Sequence, residues 1–158
     1  MNDANFARKI IKMCPPGTFD SLLIAGSWNL IDQDAHSLLQ ECLELNIEVH
    51  NAGIFCSGAL VGGDHYRYSS IPKEVSTKIE IWRGLCDSAG VPLPVAAFAF
   101  SSLHNAVTKI VVGVSSAREL EELLTWLPSA DKVPRSLWKQ AADIGLIPSN
   151  VFSSKDNL

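Results

Sequence analysis

The sequence predicts an α/β domain of about three parallel strands with flanking helices. Three observations carry this. Strand-length aliphatic runs occur at Phe19 to Ala25, Ile47 to Phe55 and Lys109 to Val114. Apolar residues at helical spacing fill the stretches around them, and caps or breakers mark the junctions. Parallel strands need a long crossover, usually a helix, and the alternation of strand and helix supplies one. With 158 residues, 47% hydrophobic and 19% charged, the chain is large enough for a packed core.

Taken in order, residues 4–13 set Phe6, Ile10 and Met13 at helical spacing, and Cys14-Pro15-Pro16-Gly17 stops that helix. Leu22-Leu23-Ile24-Ala25 reads as a strand buried on both faces, as in a parallel sheet. Asp34 is a good N-cap for a helix with Leu38, Leu39, Cys42 and Leu43 on one face, ending at Asn46. The second strand runs from Ile47 to Phe55 into the small-residue loop Ser57 to Gly63 and a polar segment, Asp64 to Pro72.

Lys73 to Ala89 reads as a long helix with Val75, Ile79, Trp82, Leu85 and Cys86 inward, closed by Gly90 and Pro92. A second apolar helix, Pro94 to Leu103, precedes the third strand. Ser116-Ala117-Arg118-Glu119 is a capping box that opens a helix carrying Leu120, Leu123, Leu124 and Leu127 on one stripe. A last helix covers Ser136 to Asp143. Residues 1–150 are expected to form one domain and 151–158 a disordered tail.

Composition narrows the function. The net charge of −4, with 13 scattered Lys and Arg, leaves no basic footprint for nucleic acid. Cys14, Cys42, Cys56 and Cys86 form no C-x-x-C pair and match no His spacing, so no metal site is expected and they read as free thiols. No segment has the length of a membrane span or the make-up of a signal peptide, so a soluble, cytoplasmic protein is expected. His36, His50, His65 and His104 lack an acidic partner at fixed spacing, and no catalytic residue is assigned to them. Tyr66 and Tyr68 fall on a loop and read as pocket rim or surface. Asp32 and Asp34 read as caps of the following helix. No strand is followed by G-x-G-x-x-G or a Walker loop. The loop at 57–63 and the capping box fit instead the phosphate sites at the C-terminal ends of barrel strands.

The residues resemble the aldo/keto reductase superfamily, in the branch of the D-threo-aldose 1-dehydrogenases (L-fucose or galactose dehydrogenases), with pyridoxal 4-dehydrogenase nearby. Leu23 to Gln33 is similar to that family's sixth strand and following turn, and Ile47 to Leu60 to its seventh strand and Ser-Gly-x-Leu loop. Tyr66-Arg67-Tyr68 with Ile71-Pro72 resembles the next loop, and Cys86 to Phe100 the connection to the eighth strand. Val107 to Leu124, centred on Val111-Val112-Gly113-Val114-Ser115-Ser116, is similar to that strand and the cofactor-phosphate turn.

The resemblance implies the C-terminal half of a TIM (β/α)8 barrel and a chain derived from an NAD(P)-dependent enzyme that oxidises an aldose such as L-fucose, D-arabinose or galactose to its lactone. The catalytic Tyr, Lys, Asp and His of the family match nothing here, so this chain alone is expected to be inactive. A pyridoxal 4-dehydrogenase-like enzyme, or an inactive half barrel that pairs with another copy or with a missing N-terminal half, is the alternative. The implied cofactor is NAD or NADP. Ser57, Gly58 and Leu60 would hold its pyrophosphate, although an ordinary strand-to-helix loop would show the same residues. Gly113, Ser115, Ser116 and Glu119 would take the adenosine end, although a plain capping box accounts for Ser116 and Glu119. Trp28 matches an aromatic near the nicotinamide, and equally suits a core tryptophan. Val112 and Leu123 replace a proline and an asparagine usual in the family, and no Lys or Arg lies in the turn, which favours NAD.

Overall fold

Asp3 starts the chain's first helix: its carboxylate accepts the Phe6 backbone N–H at 2.8 Å, and α1 runs Ala4–Met13. The computed structural model describes residues 1–67 and 69–151. The face that α1 buries is Ala4, Ala7 and Ile11. The spacing of Phe6 and Met13 pointed to the opposite face, and both side chains are exposed, Met13 at 84%. Small residues let α1 lie close to α2 (His36–Glu44), where Arg8 and Lys12 both pair with Glu41.

Strands β1 (Ser21–Ala25), β2 (Glu48–Ala52) and β5 (Val107–Val111) form a three-stranded sheet in the order β1-β2-β5. Both pairings are parallel, as expected. Ala25, Ala52 and Val111 stand in one row at its C-terminal end. Two strands end earlier than their apolar runs. Gly53, at φ +69°, turns the chain out of β2, and a side chain there would meet the Gly26 backbone nitrogen at 2.9 Å. β5 ends opposite Ala52 because its ladder partner ends there, and Val112-Gly113-Val114 leaves the sheet as loop.

The strands are covered on one face only. Ile24, Val49 and Asn51 are fully buried, whereas Leu23 and Val111 are 45% and 41% exposed. The expectation of strands buried on both faces is therefore corrected: the helices pack on one side, the arrangement of a barrel wall rather than of a doubly wound sheet. On the open face Glu48 lies within 4 Å of both His50 and Lys109.

Between β2 and β5 come a short antiparallel hairpin, β3 (His65–Tyr66) with β4 (Ser69–Ser70), then α3 (Lys73–Ala89) and α4 (Leu93–Ser101). Gly90, left-handed at φ 65°, ends α3 where the sequence placed the stop. The apolar α4 is the core helix: Ala96, Ala97 and Phe100 have no exposure. α5 (Ala117–Ala130) follows β5, and α6 (Arg135–Asp143) packs against α3. Val151 is buried against the core; the rest of the expected tail, 152–158, lies outside the described residues.

Candidate functional site

The C-terminal row of the sheet sends out three loops, and a buried asparagine ties two of them together. Asn29 Oδ1 accepts the backbone N–H groups of Ile31 and Asp32 at 2.9 and 3.0 Å and the Cys56 thiol at 3.1 Å. The turn after β1 is thus joined to the loop after β2. Asn51, buried in the central strand, adds a bond from its amide to the Trp28 carbonyl at 2.9 Å.

Asp32 and Asp34 do not cap α2 as expected. The Asp32 carboxylate instead accepts from the Asp34 backbone and pairs with Arg67, and α2 begins at His36 without a side-chain cap. Burial pushes the Cys56 thiol up to about 12, which leaves it protonated and unreactive.

Beyond Gly53, the chain makes a tight 3-10 turn, Cys56–Val61, in which Cys56, Ser57 and Gly58 all take left-handed backbone angles. Cys56 and Ser57 are not glycines, so this is local strain, held in place by the thiol bond to Asn29 and by buried Ala59 and Leu60. The Gly63 nitrogen closes the loop on the Gly58 carbonyl at 2.9 Å.

Facing this loop is the start of α5. Ser116 Oγ accepts the Glu119 N–H at 3.2 Å, completing half of the capping box. The Glu119 carboxylate reaches back to Ser115, accepting its backbone N–H and its hydroxyl, both at 2.7 Å. The Ser115 N–H, then its hydroxyl, hold the Glu119 carboxyl below the usual range. Arg118 turns outward onto Glu122, Nε to Oε1 3.1 Å.

Between loop and helix lies a cavity of about 630 Å³, lined by Gly53 to Phe55, Ser57, Gly58, Val111 to Val114, Glu119, Glu122, Leu123 and Trp126 among others. Phe55 and Trp126 meet edge to face at 5.7 Å and form its aromatic wall. The structure therefore brings Ser57, Gly58, Gly113 and Glu119 around one space at the strand ends. Ser115 and Ser116 stand behind that wall as the braces of Glu119 and of the helix. Leu60 lies beneath the loop in the core.

Trp28 is placed elsewhere. Its indole is fully buried, stacked on His36 at 5.9 Å and packed on Phe100 and His104, so it does not line the cavity. Tyr66 is half-buried under the Arg67 guanidinium, 5.5 Å from its ring centre, and Tyr68 lies outside the described residues. The sequence reading missed Phe55, Glu122 and Trp126. Trp126 continues the Leu123 side of α5, and Glu122 follows Glu119 by three residues, so both were visible as same-face neighbours. Among the described residues, no three His, Cys, Asp or Glu side chains are placed to hold a metal ion, and no single helix is long and apolar enough to cross a membrane.

No family model matches the chain. A curated relative, pyridoxal 4-dehydrogenase of Microbacterium luteolum, is 30% identical over 133 residues, 81% of this chain and 38% of that protein. The fold matches an aldo-keto reductase of Bacillus halodurans, solved in its holo form, with a TM-score of 0.60 at 14% identity, covering 86% of this chain and 46% of that one. The chain is similar in sequence to that dehydrogenase and in fold to that aldo-keto reductase. It spans less than half the length of each of these two proteins, and its three parallel strands with flanking helices match part of the aldo-keto reductase barrel.

Proposed function

We propose that this chain forms the cofactor-holding side of an NAD(P)-dependent oxidoreductase that oxidises an aldose such as L-fucose, D-arabinose or galactose to its lactone. One observation carries the cofactor reading: Ser57 and Gly58 from the loop after β2, Gly113 from the loop after β5 and Glu119 from the start of α5 line a single cavity at the C-terminal ends of the strands. Its volume of about 630 Å³ lies within the range of small-molecule and cofactor sites. The residues present suit a dinucleotide. Small side chains at Ser57, Gly58 and Gly113 let an oxygen-rich chain approach backbone. In the first turn of α5 the Glu119 N–H is taken by Ser116, so the N–H groups of Ala117 and Arg118, which have no helical partners, would be the ones to meet a pyrophosphate. Phe55 and Trp126 offer flat apolar surface to a ring.

When bound, the nicotinamide dinucleotide supplies the hydride acceptor. On this reading the chain's own residues bind, orient and screen it from water. Proton transfer is assigned to the Tyr, Lys, Asp and His of the family, which match no position here, so proximity and acid–base help are both incomplete in this chain alone. The match to a pyridoxal 4-dehydrogenase supports a second substrate reading, the aldehyde of pyridoxal.

Protein-observed NMR with added NAD tests the cofactor reading. Shifts confined to residues 53–58 and 111–126 are expected, and shifts elsewhere, or none, overturn it. Assays of the purified chain with L-fucose, D-arabinose, galactose and pyridoxal should show no nicotinamide reduction. Turnover of any of them would show that the chain supplies its own proton acceptor.

A further inference from the structure

We infer that a second cleft, between the ends of α4 and α5 and the length of α6, binds a short apolar peptide with free ends, its carboxylate on Arg135 and Lys139 and its ammonium on Asp143. The cleft has a volume of about 600 Å³, within the range of small-ligand sites, and shares no lining residue with the first cavity. The 14 residues of α5 carry the chain from that cavity to this cleft, about 21 Å along the helix axis. Leu103, Val133, Trp138 and Val151 form an apolar floor. Asp131, Arg135, Lys139 and Asp143 stand exposed on the rim.

These charges are placed against the helices that carry them. A helix is stabilised by acids in its first turn and bases in its last. In α6 the order is reversed: Arg135 is its first residue and Asp143 its last, with no acid in the first turn and no base in the last. Asp131, at the C-cap of α5, repeats the reversal. Nor do the four neutralise one another. Among the described residues none of them takes part in an ion pair, although Lys139 and Asp143 are one helical turn apart. A peptide laid along α6 with its carboxylate at the helix start satisfies both the side chains and the helix dipole. Pro134 offers no side-chain cap there, so the N–H groups of Arg135 and Ser136 are open to the same carboxylate. Arg135 and Asp143 lie about 12 Å apart along the axis, the span of about three extended residues. Two acids against two bases leave the rim neutral, which favours a zwitterion over a simple anion.

Titration calorimetry of the full chain with trileucine tests the inference. Trileucine with free ends is expected to bind, and its C-terminal amide and its N-acetyl form each at least tenfold more weakly. Lys139→Gln should weaken trileucine and leave the amide unchanged, while Asp143→Asn should weaken trileucine and leave the acetylated form unchanged. Added salt should weaken trileucine more than either capped form. Equal affinity for all three peptides overturns the inference, as does acetate binding as tightly as trileucine. Absence of binding overturns it too, and if carboxypeptidase then fails to remove residues 152–158, that segment is the occupant instead. The comparison of peptides on the unaltered chain stands even if a variant does not fold.

Discussion

Asn29 shows how much a single side chain can carry in this fold. Its amide oxygen satisfies two backbone N–H groups of the turn after β1 and the thiol of Cys56 at once, and the residue is almost fully buried. Removing the acceptor strands those donors in a place water does not reach, where each unsatisfied group costs about 1–3 kcal/mol. Asn29→Ala is therefore expected to destabilise the chain by about 2–3 kcal/mol in urea unfolding, and to release the strained backbone of Cys56 and Ser57. Asp, which keeps an acceptor at the same position, should recover part of the loss. A variant as stable as the parent would show that the turn and the loop are held by something else. The same residue marks a limit of sequence reading. An asparagine after a strand signals a turn, but its bond to a cysteine 27 positions later is visible only once β1 and β2 are known to be neighbours.

At the scale of elements, α5 separates what local chemistry dictates from what tertiary packing decides. Its capping box forms at Ser116 and Glu119 as the pattern requires, with the twist that the Glu119 carboxylate bonds Ser115 rather than Ser116. Ser116→Ala should cost about 1 kcal/mol of stability, measured by thermal or urea unfolding. Loss of NAD affinity beyond that expected from unfolding would show that the cap also positions the cavity wall. Strand and helix identities, the stop at Gly90 and the loop-plus-cap arrangement were legible because each depends on neighbours in sequence. The faces of the helices were not. In α5 the stripe of leucines predicts burial of Leu120 and Leu124, yet these are 44% and 54% exposed, while Leu123, Trp126 and Leu127 are half-buried and Ala130 fully buried. Periodicity reveals that a helix has an apolar side, but with two overlapping apolar stripes it is the position of α4 that selects the one in contact. α1 repeats the lesson, since small Ala4 and Ala7 win the core over Phe6 and Met13.

For the molecule as a whole, the buried aromatic cluster and the surface carboxylates make acid stability a test of the entire packing. His36 stacks on Trp28 and meets His104 edge-on, and burial lowers its pKa below the ordinary 6.5. Between its folded value and 6.5 the unfolded chain binds a proton that the folded chain refuses. Stability is therefore full above pH 6.5 and lost progressively as pH falls below it. A second stage lies lower. The hydrogen bond from Arg8, with Lys12 beside it, holds Glu41 below its ordinary 4.5, and Ser115 does the same for Glu119. The stability these carboxylates add is present above 4.5 and lost as pH drops through their folded values. The melting temperature should accordingly fall in two stages on acidification, the first beginning near pH 6.5 and the second below 4.5. His36→Phe keeps an aromatic ring against Trp28 and removes the titrating nitrogen, so it should flatten the first stage and leave the second in place. A first stage that persists in that variant would assign it to another group and refute the role given to His36. Glu41→Gln should flatten part of the second stage alone, because Glu41 pairs with Arg8 and Lys12 of α1, whereas the first stage belongs to His36 against Trp28.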